Sequence, residues 1–412
     1  MWILYYTGIY LFVFGIRVSA LWNEKSLLWI RGRKKWKESL DLLSPKTHTR
    51  IWFHVSSLGE FEQARPVIEA IKRRDVETDI FLTFFSPSGY TIRKDYPHAY
   101  VTYLPADLPG VAEYWIKKTN PDIGIFVKYD LWPGYMQALA KNLIPAILIS
   151  AHWKPGRLFQ SWSLPVTKSL LKNFKQIFLQ RSEYQKYFRN MGFHNISIAG
   201  DTRIDRSLKL PLEADGKIPD MLKDLPSFDL IAGSTWPEDE KLLLELINTG
   251  KYRVIIAPHD VSFSRISDLC SGIKIPFQKL SEIGDTIPKE KVIIIDCIGL
   301  LAFIYQLGSI AYIGGGFGKG IHNILEPMAY GMPVIFGPRY QRFPEAVEMI
   351  ELGVAFTVRT HQELNEVMLK LRDPSVLKST GEISQTYLQR HQGASNLITD
   401  FIMDSIPFPS HS

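Results

Sequence analysis

The fold class is decided by residues 51–84, IWFHVSSLGEFEQARPVIEAIKRRDVETDIFLTF. This stretch begins with a short run of apolar residues, Ile51–Val55, and ends with a second run, Asp79–Phe84. Each run predicts a buried β-strand, and Glu62–Arg74 between them has a helical pattern. Buried strands joined by a helix are typical of a parallel sheet that helices cover on both faces. The stretch therefore predicts an α/β fold.

The same alternation of strands and helices continues outward from this stretch. In the first half of the chain we predict further strands at Asp122–Val127, Ile144–Ile149 and Gln176–Leu179, and a helix at Leu131–Asn142. In the second half we predict strands at Leu230–Ala232, Val254–Ala257, Val292–Ile295, Ile310–Ile313 and Pro333–Phe336.

The chain of 412 residues is too long for one core of ordinary size, so we expect two domains. Residues 210–226, LPLEADGKIPDMLKDLP, interrupt the alternation with prolines and charges and are predicted to be the linker. The expected domains are two doubly wound, Rossmann-like units, residues 21–209 and 227–412, that face each other across a cleft. Ligands of such sheets bind at the carboxyl ends of the strands.

The composition is that of a soluble globular protein with a net charge of +6, which suits an anionic partner. Phosphorylated lipid, an anionic membrane surface and nucleic acid would all fit this charge. Nucleic acid is the weakest candidate, because no RNP-like or helix-turn-helix signature occurs. The two cysteines, Cys270 and Cys297, indicate a reducing compartment and argue against a disulfide framework or a zinc cluster.

The amino terminus is apolar and aromatic over Met1–Ile16, MWILYYTGIYLFVFGI. This run is short for a membrane span, and the basic residues follow it rather than precede it as in a secretory signal. We therefore predict an anchor helix over residues 1–20, either membrane-embedded or interfacial, with a cytoplasmic basic flank beside anionic head groups. The alternative is a buried first helix of the globular fold. The flanking basic residues are Arg17, Arg31, Arg33, Lys34, Lys35 and Lys37.

A carboxylate follows the first strand, in Ser56-Ser57-Leu58-Gly59-Glu60. Glu60 is expected at the mouth of the cleft, near the positive end of a helix dipole. That field favours the ionised form that a proton acceptor needs. The alternative is a capping box, Ser57-x-x-Glu60, in which Glu60 only satisfies a backbone amide.

Two further segments of the first domain are charged. In Lys128–Gly134, KYDLWPG, the residues Lys128 and Asp130 either face the cleft or form a salt-bridged surface turn, because both are costly to bury unpaired. In Gly200–Arg206, GDTRIDR, Arg203 lies near the predicted hinge, and a charged, solvated turn is the alternative.

Two motifs stand at strand ends of the second domain. In Gly233–Glu240, GSTWPEDE, the start of a helix is predicted, and its exposed amides can bind a phosphate or a sugar carboxylate. A plain capped helix is the alternative. In Ala257–Asp260, APHD, His259 stands alone, and a lone histidine is usually structural.

The strongest motif is Gly314–Pro327, GGGFGKGIHNILEP, in which a strand leads into a glycine-rich loop and then a helix. Glycines let the backbone approach phosphate oxygens, and Lys319 can add positive charge. Asn323 and Glu326 share one helix face, and Glu326 can accept hydrogen bonds from both ribose hydroxyls. The motif is neither a Walker A sequence nor a dinucleotide fingerprint.

In their order along the chain these six motifs resemble those of the transferases that attach 3-deoxy-D-manno-oct-2-ulosonic acid (Kdo) to the lipid A precursor. The resemblance implies a GT-B architecture, an acceptor-binding first domain, a CMP-Kdo-binding second domain and no metal or other cofactor. It places the catalytic base on Glu60 and transition-state stabilisation on Asp130 and Arg203. With the motif residues Ser234, Thr235 and Gly316, the implied donor contacts are Pro258, His259, Gly299, Leu300, Leu301, Asn323, Ile324, Leu325 and Glu326.

The sequence departs from the family pattern at several of these positions. The family commonly has glutamate where Lys128 stands, so the sign of the charge is reversed there. It commonly has arginine where His259 stands, glutamate where Leu300 stands, and lysine where Arg203 stands. Departures thus fall among the donor contacts at 259 and 299–301, whereas Glu60 and Glu326 match the family pattern.

The resemblance implies an inverting transfer of Kdo from CMP-Kdo to the lipid A precursor in lipopolysaccharide synthesis, at the cytoplasmic face of the inner membrane. Three alternatives remain: a transferase that uses a UDP-sugar and another membrane lipid, a nucleotide-sugar epimerase of the same fold, and a membrane-tethered binding protein with a degenerate site. The apolar amino terminus argues against the epimerase. Glu60, Asp130 and Glu326 argue against the binding protein.

Overall fold

The computed structural model describes residues 2–41, 43, 45–128, 130–152, 164–214, 216–219, 222, 226–283 and 290–406, with backbone only for 164–167. The described residues up to Asp205, together with those from Gln392 onward, form one compact unit. Residues Arg206–His391 form a second compact unit.

The first unit is built on a seven-stranded sheet with the order β3-β2-β1-β4-β5-β6-β7, and all of its pairings are parallel. Its strands are β1 Arg50–Val55, β2 Asp79–Phe84, β3 Tyr100–Tyr103, β4 Ile123–Val127, β5 Ala146–Ala151, β6 Phe174–Leu179 and β7 Ile196–Ile198. The helices that begin before the boundary are α1 Trp2–Ser19, α2 Glu24–Arg33, α3 Trp36–Asp41, α4 Leu58–Arg74, α5 Pro87–Arg93, α6 Val111–Thr119, α7 Pro133–Lys141, α8 Leu164–Leu171, α9 Gln185–Asn190 and α10 Thr202–Ser207, the last of which crosses it.

The second unit has another parallel seven-stranded sheet, with the order β10-β11-β9-β8-β12-β13-β14. Its strands are β8 Phe228–Thr235, β9 Val254–Pro258, β10 Phe277–Lys279, β11 Val292–Ile294, β12 Gly308–Ile313, β13 Val334–Phe336 and β14 Ala355–Thr357. The helices are α11 Leu210–Glu213, α12 Pro237–Ile247, α13 Phe263–Gly272, α14 Leu301–Ile304, α15 Leu325–Ala329, α16 Pro344–Glu351, α17 His361–Lys370 and α18 Pro374–His391. A last helix, α19 Ala394–Ser405, returns to the first unit.

Both faces of the first sheet are buried, as continuous apolar strands require. Alternate residues of β1 point to opposite faces: Trp52 packs in one core cluster with Phe126, whereas Ile51 and Phe53 pack in the other. The ten predicted strands are all present, and the two parallel sheets confirm the predicted doubly wound α/β architecture.

The unit boundaries differ from those predicted at 210–226. The main segment of the first unit ends at Asp205, and the second unit ends at His391, after which the chain rejoins the first unit instead of continuing in the second. The cause is α19, which buries Ile398 and Ile402 in the core of the first unit. Asp205 fixes the start of this helix, because its carboxylate accepts hydrogen bonds from the amides of Gly393 and Ser395, both at 2.6 Å.

The helix α1 corresponds to the predicted anchor. It is long and apolar enough to cross a membrane. None of its described residues is buried, which contradicts the alternative of a buried first helix. One basic residue of the predicted flank differs from expectation, because Arg33 is buried. Its guanidinium donates hydrogen bonds to the carbonyls of Leu104 at 2.8 Å and Phe85 at 2.7 Å, which compensates for the loss of water.

Candidate functional site

Two predicted carboxylates come together at the carboxyl edge of the first sheet. Strands β1 and β4 are neighbours, so the residues that follow them, Ser56 and Asp130, meet. The amide of Ser56 donates to Oε2 of Glu60 at 2.5 Å, and its hydroxyl donates to Oδ2 of Asp130. One serine therefore links the predicted base to the predicted transition-state stabiliser.

Glu60 lies in the first turn of α4 and is only 7% exposed. Burial raises its pKa above the ordinary value of 4.5, and the negative charge of Asp130 raises it further. The positive charge of Lys128, the Ser56 amide and His54 act in the opposite direction without reversing the shift. The expected stabilisation of the ionised form is therefore outweighed by burial; once ionised, however, a glutamate with a raised pKa is a stronger base than an ordinary one.

The capping-box alternative for Glu60 is met only in part. The side chain of Ser57 makes no capping hydrogen bond, so the reciprocal pair of a capping box is not formed. Glu60 does accept a backbone amide, but it is that of Ser56, one residue earlier. The contact therefore orients the carboxylate toward the strand end.

A histidine in β1, which the sequence analysis did not single out, completes the cluster. His54 is fully buried, and its Nε2 lies 2.6 Å from Oδ2 of Asp130. Its Nδ1 lies 2.8 Å from Oγ1 of Thr83, which accepts a hydrogen bond from Nε1 of Trp52 at 2.9 Å. The available signal was the position of a histidine in an apolar strand, two residues before Ser56 and hence on the same face.

His54 sets the charge state of Asp130. Burial alone would raise the pKa of Asp130, but the charge of His54 and the hydrogen bonds from His54 and Ser56 outweigh it. The pKa of Asp130 therefore lies below the ordinary value of 3.8. Asp130 is ionised at neutral pH, and it holds a fixed negative charge close to Glu60.

The third predicted catalytic residue, Arg203, lies near the same part of α4. The adjacent Thr202 donates to the carbonyl of Gln63 at 2.7 Å, one helical turn beyond Glu60. Arg203 itself is held by Asp201, with NH2 at 2.6 Å from Oδ2 and Nε at 3.1 Å from both carboxylate oxygens. Its positive charge is thus partly offset, and the segment is an ion-paired structure rather than a solvated turn.

In the second unit, three aromatic rings stack where neighbouring strands end. Trp236 follows β8, His259 follows β9 and His322 lies in the loop after β12. The centroid of the His259 ring is 4.6 Å from the rings of both Trp236 and His322, and both pairs are stacked. His259 is therefore not alone. Trp236 and His322 were not among the predicted site residues, although both stand in quoted motifs.

The ring stack fixes the protonation of His322. Nε1 of Trp236 donates to Nε2 of His322 at 3.0 Å, so the ring proton is placed on Nδ1. Burial, followed by the charge of His259, lowers the pKa of His322 to about 4. His322 is consequently a neutral hydrogen-bond donor at neutral pH.

The glycine-rich loop is shaped mainly by contacts within the second unit. A Cβ on Gly314 would lie 2.1 Å from the carbonyl oxygen of Ser234, and one on Gly316 would lie 2.5 Å from the amide of Gly337. Gly315 has φ of +92°, and its amide donates to Asp239 at 2.8 Å. The close approach that these glycines predict is therefore an approach to neighbouring protein backbone. Several backbone amides of the loop already donate hydrogen bonds to protein oxygens, namely those of Gly314, Gly315, Gly318, Gly320 and His322.

Asp239 was also missed and organises this edge. Besides Gly315, it accepts hydrogen bonds from the amide of Trp236 and the hydroxyl of Tyr312, both at 2.9 Å. The contact with Trp236 is the one expected of a helix cap, so the capped-helix alternative for Gly233–Glu240 is observed. The same carboxylate fastens the helix start to the glycine loop.

The remaining predicted donor residues divide into accessible and buried ones. Ser234 has φ of +54° at the end of β8, and Leu301 packs against Gly233 beside it. Thr235 is buried, and its hydroxyl donates to Glu240 at 2.9 Å. Nδ2 of Asn323 donates to Oε1 of Glu326 at 3.0 Å, as their predicted spacing implies. Partly or fully exposed are Leu300, Asn323, Glu326, His259 and Gly299, and buried are Pro258, Gly316, Ile324 and Leu325.

No group of three or more His, Cys, Asp or Glu side chains placed to hold a metal ion occurs among the described residues.

Comparison with known proteins supports the sequence resemblance. The family described as 3-Deoxy-D-manno-octulosonic-acid transferase (kdotransferase) matches residues 34–206. A 3-deoxy-D-manno-octulosonic acid transferase of Rickettsia bellii is 26% identical over 358 residues, which cover 83% of this chain and 84% of the relative. The enzyme of the same name from Aquifex aeolicus is 27% identical over 356 residues, which cover 82% and 92%.

Solved structures share the fold. A glycosyltransferase from Rickettsia africae has a TM-score of 0.57 at 15% identity and covers 87% of this chain and 98% of its own. UDP-GlcNAc 2-epimerase from Neisseria meningitidis has a TM-score of 0.61 at 14% identity and covers 86% and 100%. Since transferases and epimerases both appear, the fold alone does not choose between them.

The sequence matches do make that choice, and they define a glycosyltransferase of the GT-B type. The chain is similar to the Kdo transferases over residues 34–206 and, at lower identity, over more than four fifths of its length to the curated relatives that carry that name. Its activity is the transfer of Kdo in lipopolysaccharide synthesis.

Proposed function

We propose that this chain moves Kdo from CMP-Kdo to the lipid A precursor in a single inverting displacement, with Glu60 as the general base. The observation that carries the proposal is the position of Glu60, a buried carboxylate with a raised pKa at the carboxyl edge of the first sheet. It is oriented by Ser56 and lies beside Asp130, as a base at a ligand-binding strand end should be.

The proposed step forms one bond and breaks one. The acceptor hydroxyl gives its proton to Glu60 while its oxygen bonds to the anomeric carbon of Kdo. The bond from that carbon to the phosphate oxygen of CMP breaks, and CMP leaves with the electron pair. Because CMP is a good leaving group, one base suffices.

Asp130 and Arg203 would stabilise the charges that develop in this step. Asp130 is held ionised by His54, so its negative charge favours positive character at the anomeric carbon. Arg203 keeps its guanidinium beside Asp201, which fixes the direction of the group. A preorganised charge needs little rearrangement when the transition state forms.

The donor would bind at the carboxyl edge of the second sheet. The stacked rings of Trp236, His259 and His322 offer flat aromatic surfaces and the Nδ1 proton of His322. His259 stands where arginine is common in the family, and we propose that the ring stack takes over that contact. Glu326, oriented by Asn323, would accept hydrogen bonds from the ribose hydroxyls.

The proposal is tested by incubating the protein with CMP-Kdo and a tetraacyl lipid A precursor and determining the product mass. Addition of one Kdo residue or more is expected, with turnover unchanged by EDTA, because the proposed mechanism uses no metal. UDP-sugars in place of CMP-Kdo should give no product. Turnover only with a UDP-sugar would favour the alternative donor.

The acceptor is a membrane lipid, and we propose that α1 and the exposed basic residues after it bind the cytoplasmic face of the inner membrane. Arg31 and Lys34 are both exposed. Each basic residue near an anionic surface contributes about 1 kcal/mol.

Neutralising two of these charges, in Arg31→Gln/Lys34→Gln, is expected to weaken binding to anionic vesicles roughly 30-fold, since about 2 kcal/mol is lost. Vesicle sedimentation at low and high salt measures the effect. The matched control is Lys274→Gln/Lys378→Gln, which removes two exposed lysines of the second unit. An equal loss with the control pair would show that only net charge matters.

A further inference from the structure

The helix α1 has two unlike faces. Tyr5, Ile9, Val13 and Ile16 recur at helical spacing and are partly buried. The opposite face is exposed and apolar: Leu4 is 79% exposed, Leu11 65% and Phe14 64%. A helix surrounded by lipid needs no such division. The partly buried face indicates that α1 packs against the rest of the first unit.

Contacts at three places along its length hold α1 against that unit. Near its start, the hydroxyl of Tyr5 donates to Oδ2 of Asp107 at 2.6 Å. In its second half, the ring of Phe12 lies 6.0 Å from Phe85 and 6.2 Å from Trp29. At its end, the hydroxyl of Ser26 in α2 donates to that of Ser19 at 3.1 Å.

The groups that receive these contacts are themselves fixed. Asp107 is fully buried and also accepts the amide of Gly134, in the first turn of α7, at 2.7 Å. Arg33 lies 4.0 Å from the ring of Trp29 and 4.9 Å from that of Phe85, and it donates to the carbonyl of Phe85. The helix is therefore attached to a rigid surface at both ends and between them.

A helix fastened in this way cannot cross a bilayer without drawing the adjacent sheet edge and its charged residues into hydrocarbon. We propose that α1 lies flat in the surface of an anionic bilayer, with Leu4, Leu11 and Phe14 toward the acyl chains. The choice of an anionic surface follows from charge, because Arg17 at the end of α1 and Arg31 in the next helix, α2, are both exposed.

This placement ties the membrane surface to the catalytic segment. Phe85, which contacts Phe12, also lies 4.8 Å from the ring of Trp132, two residues after Asp130. Asp107 joins Tyr5 to Gly134 in the same segment. Resting on the proposed function, the inference is that α1 holds Asp130 at a set height above the lipid head groups, where a lipid acceptor presents its hydroxyls.

The orientation is tested with fluorescent probes on single cysteines in the full chain, after Cys270→Ser and Cys297→Ser. The probe positions are Leu4→Cys, Leu11→Cys and Val18→Cys, which lie on one helix face at steps of about 10 Å. Vesicles of phosphatidylethanolamine and phosphatidylglycerol with bromine at different acyl positions report the depth of each probe. A probe at Lys378→Cys, on an exposed side chain of the second unit, is the unquenched control.

A helix lying flat places all three probes within about 5 Å of one shallow depth. A depth that changes by about 20 Å from position 4 to position 18 would show a spanning helix and overturn the proposal. Absence of quenching at all three positions would also overturn it, because another surface then covers this face. Kdo transfer to detergent-dispersed acceptor, measured on the same labelled variants, tests the proposed function separately from the depth.

Discussion

The variant Glu60→Gln is expected to lower kcat by roughly 10²- to 10⁴-fold while CMP-Kdo binding stays unchanged. Glutamine keeps an oxygen that can accept the Ser56 amide, so the local structure is retained. It cannot take up a proton at neutral pH, so only the base is lost. Initial rates with the lipid acceptor and calorimetric titration with CMP-Kdo measure the two quantities.

Two comparisons keep this result from being a folding artefact. Glu62→Gln, two residues further along α4, removes a carboxylate that pairs with Arg93 at 2.9 Å and should leave kcat near normal. Because burial raises the pKa of Glu60, the folded state opposes its ionisation, and the Tm of Glu60→Gln at pH 7 should equal or exceed that of the unchanged protein. Near-normal turnover would show that Glu60 serves only to accept the hydrogen bond from the Ser56 amide.

The raised pKa of Glu60 also sets the pH dependence of turnover. The base works only when ionised, so kcat/KM should fall as pH decreases through a pKa above the ordinary 4.5. In Asp130→Asn the neighbouring negative charge is gone, so this acid limb should move to lower pH while kcat decreases. A limb that moves to higher pH in Asp130→Asn would contradict the assigned electrostatics.

The interior of both sheets could be predicted from sequence, but their edges could not. The ten predicted strands occupy the central positions, and the four that were not predicted, β3, β7, β10 and β14, are the outermost strands of the two sheets. An edge strand is covered on fewer sides, so it lacks the continuous apolar run that marks a buried strand. Tyr100–Tyr103 shows this, since it begins with an exposed residue.

The sequence predicted those residues of the candidate site that directly follow a recognisable strand. Glu60 and Asp130 follow separate apolar runs, and the rule for parallel sheets places both at one edge. That β1 pairs directly with β4 depends on strand order, which local pattern does not encode. His54 therefore went unnoticed, because its meaning comes from Asp130 on the neighbouring strand.

The glycine loop shows the opposite limit. Its glycines indicated a close backbone approach, and such an approach is present at Gly314 and Gly316. The partners are the backbones of Ser234 and Gly337, whereas the sequence pattern suggested a phosphate. A glycine indicates that a side chain would not fit at its position, but it does not identify the group that lies there.

His54→Phe is expected to lower the free energy of unfolding at pH 7 by about 3 kcal/mol, since the buried carboxylate of Asp130 loses the hydrogen bond from His54. Phenylalanine preserves the ring but removes Nε2, which lies 2.6 Å from Asp130. The pKa of Asp130 should then rise, because His54 is the main group that lowers it. With Asp130 less ionised, kcat should also fall, by at least about tenfold. Urea denaturation and initial rates measure both effects.

The sign of the pH dependence separates this mechanism from a simple packing defect. A carboxylate with a lowered folded-state pKa stabilises the fold above its unfolded pKa and ceases to do so as pH falls through the folded value. The stability difference between the unchanged protein and His54→Phe should therefore be full at pH 7 and shrink below pH 3.8, the ordinary aspartate value. His54→Gln, whose amide can still donate to Asp130, should recover part of the stability and rate. If Gln and Phe lose equally and the gap does not depend on pH, His54 only fills space, and Asp130 owes its charge to other groups.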